Sequence, residues 1–160
     1  MGINEIIQLI AATLGTLGFA ILFNIRGKKL IGVTLGGLVG WGAYLLAYFL
    51  LSNEIISYFI SAVAISLYAE ITARIMKCPV TLIITSALIP LVPGASLYYT
   101  MAEVLSDGHE FGNRAFRTLG IAAALAGGII VSTIIAALFA KTTSYIRERR
   151  KSHQNHRFCK

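Results

Sequence analysis

Residues 86–101 read SALIPLVPGASLYYTM, and this stretch determines whether the chain can form one continuous helix here. It is uncharged and largely apolar, yet it places Pro90, Pro93 and Gly94 within five residues. Proline lacks a backbone donor, and its ring disfavours helical geometry in the residue before it, so a helix that reaches this point breaks. We therefore predict two half-helices, the first ending near Leu88 and the second beginning near Pro93, where proline suits a first helical position.

The composition places the break inside a membrane protein. The 160 residues are 56% hydrophobic and 13% charged, with a mean hydropathy of +0.74, far more apolar than a soluble domain of this size. Five apolar segments approach or exceed the roughly 20 residues that a spanning helix needs: 6–25, 30–51, 55–73, 80–101 and 118–140. We predict an all-α integral membrane protein with about five transmembrane helices, the fourth broken at Pro90, Pro93 and Gly94. Residues 1–145 would form one transmembrane domain, and 146–160 a basic cytoplasmic tail.

Lysine and arginine are distributed unevenly among the connections. Of the 14, three lie in residues 26–29, two in 74–77 and seven in the tail from 141 onward, which leaves only Arg114 and Arg117 elsewhere. By the positive-inside rule the N-terminus faces out and the C-terminus faces the cytoplasm. The same rule accounts for the net charge of +7 without nucleic acid, since a basic tail binds the anionic headgroups of the lipid bilayer.

The residues give little support for a metal site or for an enzyme. His153, His156 and Cys159 recur at three-residue spacing in the tail, but three ligands are fewer than the four of a closed structural zinc site. No apolar segment holds a nucleophile beside a base, because all three histidines lie outside these segments. We predict no metal, no cofactor and no enzymatic activity.

Small residues recur at helical spacing in three of the apolar segments. Such spacing puts positions with little or no side chain on one helix face and lets another backbone approach closely. The three sets are Gly32, Gly36 and Gly40; Gly120, Ala124 and Gly128; and Ala11, Gly15 and Gly18. Glycine spacing does not identify the partner, so it is compatible both with packing inside one chain and with a homo-oligomer.

Glu70 is the one acidic residue inside a predicted span, and Arg74 follows four positions later. Residues at this spacing share a helix face and can form an ion pair. One interpretation is a stabilised helix end; the other is a proton-carrying group, because ionisable residues inside a membrane are costly and often line a pathway.

A helix that restarts inside a membrane has chemical consequences. Its first amides point away from the helix with partial positive charge and suit a carboxylate; here they belong to Gly94, Ala95 and Ser96. The carbonyls that end the first half-helix, from Ser86 to Ile89, have the opposite polarity and suit an ammonium group. Hydroxyl groups follow on Ser96, Tyr98, Tyr99 and Thr100. The alternative is a plain proline kink without a ligand.

Two longer stretches resemble the small, membrane-only subunit of the threonine/serine exporter family. They are LGFAILFNIRGKKL at 17–30 and AEITARIMKCPVTLIITSALIPLVPGASLYYTM at 69–101. The resemblance lies in the combination of G-F-x-x-x-F-N, A-R-x-x-K-x-P and I-P-x-x-P-G-x-x-x-Y, and it extends to the fifth apolar segment by position only.

The resemblance implies secondary export of small polar metabolites, threonine and serine or, in some two-chain members, succinate, across the bacterial cytoplasmic membrane. It also implies a larger membrane subunit as partner. The family motif marks Asn24, Arg74, Lys77, Pro79, Thr81, Pro90, Pro93, Gly94 and Tyr98. We predict a transporter subunit driven by the proton gradient; the alternative is a scaffold or accessory subunit that transports nothing.

Overall fold

The computed structural model describes residues 2–105 and 111–158, with side chains described as far as residue 139. It is helical throughout, with no strand in these ranges, which confirms the all-α prediction. The helices are α1 (Ile3–Leu22), α2 (Lys28–Leu51), α3 (Glu54–Met76), α4 (Val80–Leu88), α5 (Gly94–Leu105) and α6 (Phe111–Phe158), and a 3-10 turn, Ile89–Leu91, lies between α4 and α5.

Four of these helices are long and apolar enough to cross a membrane: α1, α2, α3 and the Phe111–Phe139 part of α6. Two shorter segments are together long and apolar enough to cross a membrane: α4 with its 3-10 turn (Val80–Leu91) and α5 (Gly94–Leu105). They are bent by 50° at the break between them. The described residues thus contain four to five candidate spans, in agreement with the predicted number.

Backbone geometry at the connections explains where the helices end. Asn24, Ser52 and Lys77 all adopt left-handed conformations, with φ between 49° and 58°, which stop helix propagation. Gly27, at φ 68° and ψ −145°, occupies a conformation that only glycine takes easily, and it precedes α2. Asn53 then starts α3, because its side-chain oxygen accepts a hydrogen bond from the third amide that follows.

Helices α3 and α6 run parallel, which determines where the bent segment leads. Arg117 near the start of α6 pairs with Glu54 at the start of α3, and Gly128, further along, packs on Ala62. Since α3 ends beside the start of α4, the segment from α4 to α5 connects opposite ends of the bundle. That is the arrangement expected of one interrupted span.

The glycines of α2 are covered by neighbouring helices of the same chain. A Cβ on Gly32 would meet Met76 of α3, and one on Gly40 would meet Ile65. The close approach permits two hydrogen bonds between helices, from Ser61 Oγ to the Gly40 carbonyl at 2.6 Å and from Tyr68 OH to the Gly32 carbonyl at 2.8 Å. This face therefore serves packing inside the chain.

The other two small-residue sets differ from each other. Gly120 and Gly128 of α6 pack on α3, so they too serve packing inside the chain. On α1, by contrast, a Cβ at Gly15 or Gly18 would meet nothing within 4 Å among the described residues. This face of α1 is left uncovered by the described chain.

Helix α6 is longer than the predicted fifth segment. Its backbone continues to Phe158, past the predicted span end at 140 and past 145, so the domain boundary there stays a prediction. The side chains of His153 and His156, and Cys159 as a whole, lie outside the described part of the structure.

Candidate functional site

Both basic connections lie at one end of the bundle, which we call the basic end and define by residues 26–29 and 74–77. A buried cluster joins Ile25, Val33, Ala73 and Ile83 there, from the end of α1 to the start of α4. The opposite end holds the starts of α3 and α6. The interrupted segment leads from the first end to the second, and polar groups lie at three places along it.

The first place is an open groove of about 310 Å³ at the basic end. Its lining residues are Phe23, Pro79, Thr81, Leu82 and Thr85. Both threonines are exposed, and the hydroxyl of Thr85 donates to the Thr81 carbonyl at 2.7 Å. Asn24 follows Phe23 directly, and its side-chain oxygen accepts a hydrogen bond from Arg26 Nε at 2.9 Å. The structure therefore brings two predicted site residues, Asn24 and Thr81, to the same end of the bundle.

The second place is the break itself. A groove of about 420 Å³ lies between α1 and the 3-10 turn, lined by Gln8, Ala11, Ala12, Gly15, Phe19, Trp41, Ile89 and Pro90. The indole Nε1 of Trp41 is buried, with no hydrogen-bond partner among the described residues. Trp41 is a donor that sequence reasoning missed; it is the chain's single tryptophan and lies on the glycine-rich helix.

The amides at the start of α5 differ in part from the prediction. The Gly94 amide donates to the Val92 carbonyl at 2.7 Å, and the Leu97 amide donates to the Pro93 carbonyl at 3.0 Å. The amides of Ala95 and Ser96 lie in the first turn, where no intrahelical acceptor exists. Two of the three predicted amides thus have no acceptor within α5, and the chain's own turn occupies the third; binding of a ligand there stays a prediction.

The remaining predicted residues near the break are dispersed. Ser86 is fully buried, and its hydroxyl donates to the Leu82 carbonyl at 3.2 Å. Pro93 is buried, whereas Gly94 and Ala95 are exposed. Tyr98 is 70% exposed and meets the neighbouring tyrosine edge to face. The described chain does not enclose the predicted site residues in one pocket.

The third place is a small cavity of about 70 Å³ between α5 and α6, which we call the α5–α6 cavity. It is lined by Ser96, Tyr99, Thr100, Arg114, Arg117 and Thr118. Ser96 was predicted from the broken helix. The two arginines stood out in the sequence only as the exceptions to the charge bias, and nothing in their spacing related them to α5.

Glu70 and Arg74 form the predicted ion pair. The Arg74 Nη2 atom lies 3.3 Å from Glu70 Oε2, and the two side chains are 58% and 23% exposed, respectively. The pair lies on the last turns of α3, towards the basic end. The spacing rule is confirmed here, while a role in proton movement stays a prediction.

Together the fold and these three places define a polytopic helical membrane protein with an interrupted helix and polar groups near both ends of it. A family model described as "Threonine/Serine exporter, ThrE" matches residues 8–135. The chain belongs to that family, which confirms the family that the motifs indicate, and it is a transporter subunit of the threonine/serine exporter type. No curated protein and no solved structure shows a significant match to this chain.

Proposed function

We propose that this chain is the membrane-only subunit of a secondary transporter that exports small polar metabolites from the bacterial cytoplasm. The solutes are amino acids of the threonine/serine type or a dicarboxylate such as succinate. Family membership supports an exporter, and the observation that carries the proposal is the interrupted segment, which joins opposite ends of the bundle. The basic end faces the cytoplasm, so that the N-terminus lies outside.

The start of α5 is the proposed binding point for the solute carboxylate. The amides of Ala95 and Ser96 carry the partial positive charge of a helix N-terminus, and interrupted helices in transporters use such ends for anionic groups. Space supports the assignment, because a Cβ on Gly94 would meet nothing within 4 Å. Since no neighbour in the described chain requires glycine at this position, we assign the space to a solute or a partner.

A larger membrane subunit completes the route in this proposal. The grooves at the basic end and at the break are open rather than enclosed, and a polar solute in hydrocarbon needs protein or water on every side. The uncovered face of α1, with Gly15 and Gly18, borders the groove at the break. A second subunit that packs on this face would close the groove.

The proton gradient is the proposed driving force, with Glu70 as the coupling residue. Its carboxylate lies near the basic end and is held by Arg74 at 3.3 Å. Protonation of Glu70 would release Arg74 from the pair. That change in charge can be coupled to opening on one side of the membrane.

Export from cells tests the proposal where any native partner is present. Cells of the source organism that lack this chain are complemented with wild type, Gly94→Leu or Gly112→Leu, loaded with labelled L-threonine, L-serine or succinate, and followed for efflux. Gly112 is a matched control, because it lies in the first turn of α6 and has nothing within 4 Å of a Cβ position. We expect Gly94→Leu to lose at least about nine-tenths of the efflux, equivalent to ~1.4 kcal/mol, while Gly112→Leu retains it.

Membrane abundance of each variant is measured by immunoblot in the same cells. Normal efflux from Gly94→Leu at normal abundance would mean that the break is a plain proline kink without a ligand. Efflux that does not depend on this chain for any of the three solutes would favour the scaffold alternative.

A further inference from the structure

Every residue known to line the α5–α6 cavity carries a polar group. Four of its six lining residues carry hydroxyl groups and the other two carry guanidinium groups, so all six offer hydrogen-bond donors. Its volume of about 70 Å³ exceeds the roughly 10–15 Å³ that a single water requires. The space therefore admits a small polar group such as a carboxylate.

Two of the hydroxyl groups that line this cavity belong to buried residues. Thr100 and Thr118 are 8% and 6% exposed, and their Oγ1 atoms lie 3.1 Å apart. Each hydroxyl also lies within hydrogen-bond distance of a carbonyl in its own helix, at 2.7 Å for Thr100 and 2.9 Å for Thr118. Two hydroxyl protons cannot serve all three contacts at once, so the pair has alternative proton arrangements. An acceptor in the cavity could select one of them.

The two arginines are held by carboxylates of other helices. Arg114 Nε lies 3.4 Å from Glu103 of α5, and Arg117 Nε donates to Glu54 of α3 at 2.6 Å. These side chains are partly exposed, and exposed ion pairs contribute little stability. A second carboxylate that offers two oxygens to Arg114 can therefore compete with Glu103.

We infer that the α5–α6 cavity is a second carboxylate site on the exit side of the transporter. It takes one carboxylate of the solute, from an amino acid or a dicarboxylate, between Arg114 and the paired hydroxyls of Thr100 and Thr118. Ser96 links it to the start of α5, because its first-turn amide belongs to the proposed binding point and its side chain lines the cavity. The identity of the solute and the exit direction rest on the proposed function.

Binding in this cavity has a structural consequence. The Arg114–Glu103 pair joins α6 to the second half of the interrupted span. A solute carboxylate that replaces Glu103 weakens that connection. When the solute carboxylate replaces Glu103 on Arg114, arrival of the solute thus loosens the contact between α5 and α6.

Cysteine labelling of the purified full chain in neutral detergent tests the site without transport. Ser96→Cys is introduced after both native cysteines are changed to serine, and its reaction with an anionic and a cationic methanethiosulfonate reagent is timed. We expect the anionic reagent to be favoured about fivefold or more relative to free cysteine, because a positive potential above one kT acts oppositely on the two charges. Succinate or L-threonine should slow the reaction, and Arg114→Gln should remove this protection and weaken the reagent preference, to which Arg117 still contributes.

Leu97→Cys is the matched control, because Leu97 is the neighbouring exposed position, its amide already donates to the Pro93 carbonyl, and it does not line the cavity. Tyr99→Cys gives a second reporter if Ser96→Cys does not yield a monodisperse protein. Equal reagent preference at Ser96 and Leu97, or no protection by either solute, would overturn the inference. Inorganic phosphate at equal concentration is tested as well. Protection by phosphate that matches both solutes would make the cavity a general anion site and would likewise overturn the inference.

The two proposals fail separately. Protection at Ser96→Cys in a chain whose loss leaves cellular efflux unchanged would retain the carboxylate site and remove the transport function. Chain-dependent efflux without protection would retain the transporter and remove this site.

Discussion

The contact between α3 and α6 predicts opposite effects from the same substitution at two glycines. A Cβ added to Gly128 would lie 2.7 Å from the Ala62 Cβ and 2.8 Å from the backbone carbonyl oxygen of Phe59. A backbone atom cannot move aside as a side-chain end can, so the helices themselves must separate. At Gly15 of α1 the same methyl group would meet nothing within 4 Å.

The magnitude follows from contact distances. Ordinary carbon–carbon contacts are about 3.5–4.0 Å, so Gly128→Ala requires α6 to withdraw from α3 by roughly 0.8–1.3 Å at this point. Overpacking of this kind costs about 1–3 kcal/mol, whereas replacing glycine by alanine within a helix recovers about 0.8–1 kcal/mol. We expect Gly128→Ala to lose up to about 2 kcal/mol of stability. We expect Gly15→Ala to gain up to about 1 kcal/mol.

Thermal unfolding in detergent, followed by size-exclusion chromatography of the heated samples, measures this difference. At roughly 2–4 °C per kcal/mol for a chain of this size, the midpoint of Gly128→Ala should lie several degrees below that of Gly15→Ala. Far-ultraviolet circular dichroism at low temperature checks that both variants retain their helices. A Gly128→Ala midpoint equal to or above that of Gly15→Ala would refute the parallel packing of α3 and α6.

Two further predictions concern polar groups of α3. Ser61→Ala removes a buried hydrogen bond to α2 and should lower the stability by about 0.6 kcal/mol, the average for such bonds in a membrane. Thr85→Ala is the control, because it removes a hydrogen bond within its own helix, and it should cost less stability in the same thermal assay. Glu70→Gln should keep the fold, because the ion pair that it removes is partly exposed, but it should abolish the response of efflux to an imposed pH gradient. Efflux from Glu70→Gln that keeps its full pH-gradient dependence would exclude Glu70 from coupling.

Local chemistry made much of the fold predictable from the sequence. Pro90 and Pro93 interrupt any helix that contains them, and the observed half-helices end at Leu88 and begin at Gly94, within a residue of the prediction. The Glu70–Arg74 pair followed in the same way from helical spacing. The occupied amide of Gly94 was not predictable, because the Val92 carbonyl reaches it only through the particular turn between the half-helices.

The candidate site was less accessible to sequence reasoning than the fold. Asn24 and Thr81 were identified through the resemblance to a family and Pro90 first through its backbone chemistry, whereas Trp41 and the arginines of the α5–α6 cavity were not identified. Nothing in the sequence distinguishes Thr100 and Thr118 from other threonines. Only the packing of two helices brings their hydroxyl oxygens to 3.1 Å. Their pairing depends on the rotation of α5 against α6, which hydropathy and spacing do not specify.

The sequence by itself determined that this is a helical membrane protein, where its helices break, which end is basic and to which family it belongs. These properties depend on hydropathy, proline chemistry, charge and motif, all of which are readable along the chain. Tertiary structure alone decided that the predicted small-residue sets of α2 and α6 serve packing within the chain while the glycines of α1 are left uncovered by the described residues, and that Arg114 and Arg117 line a cavity with α5. The physical reason is that glycine spacing permits close approach without naming the partner, and a cavity exists only once separate helices take up their positions.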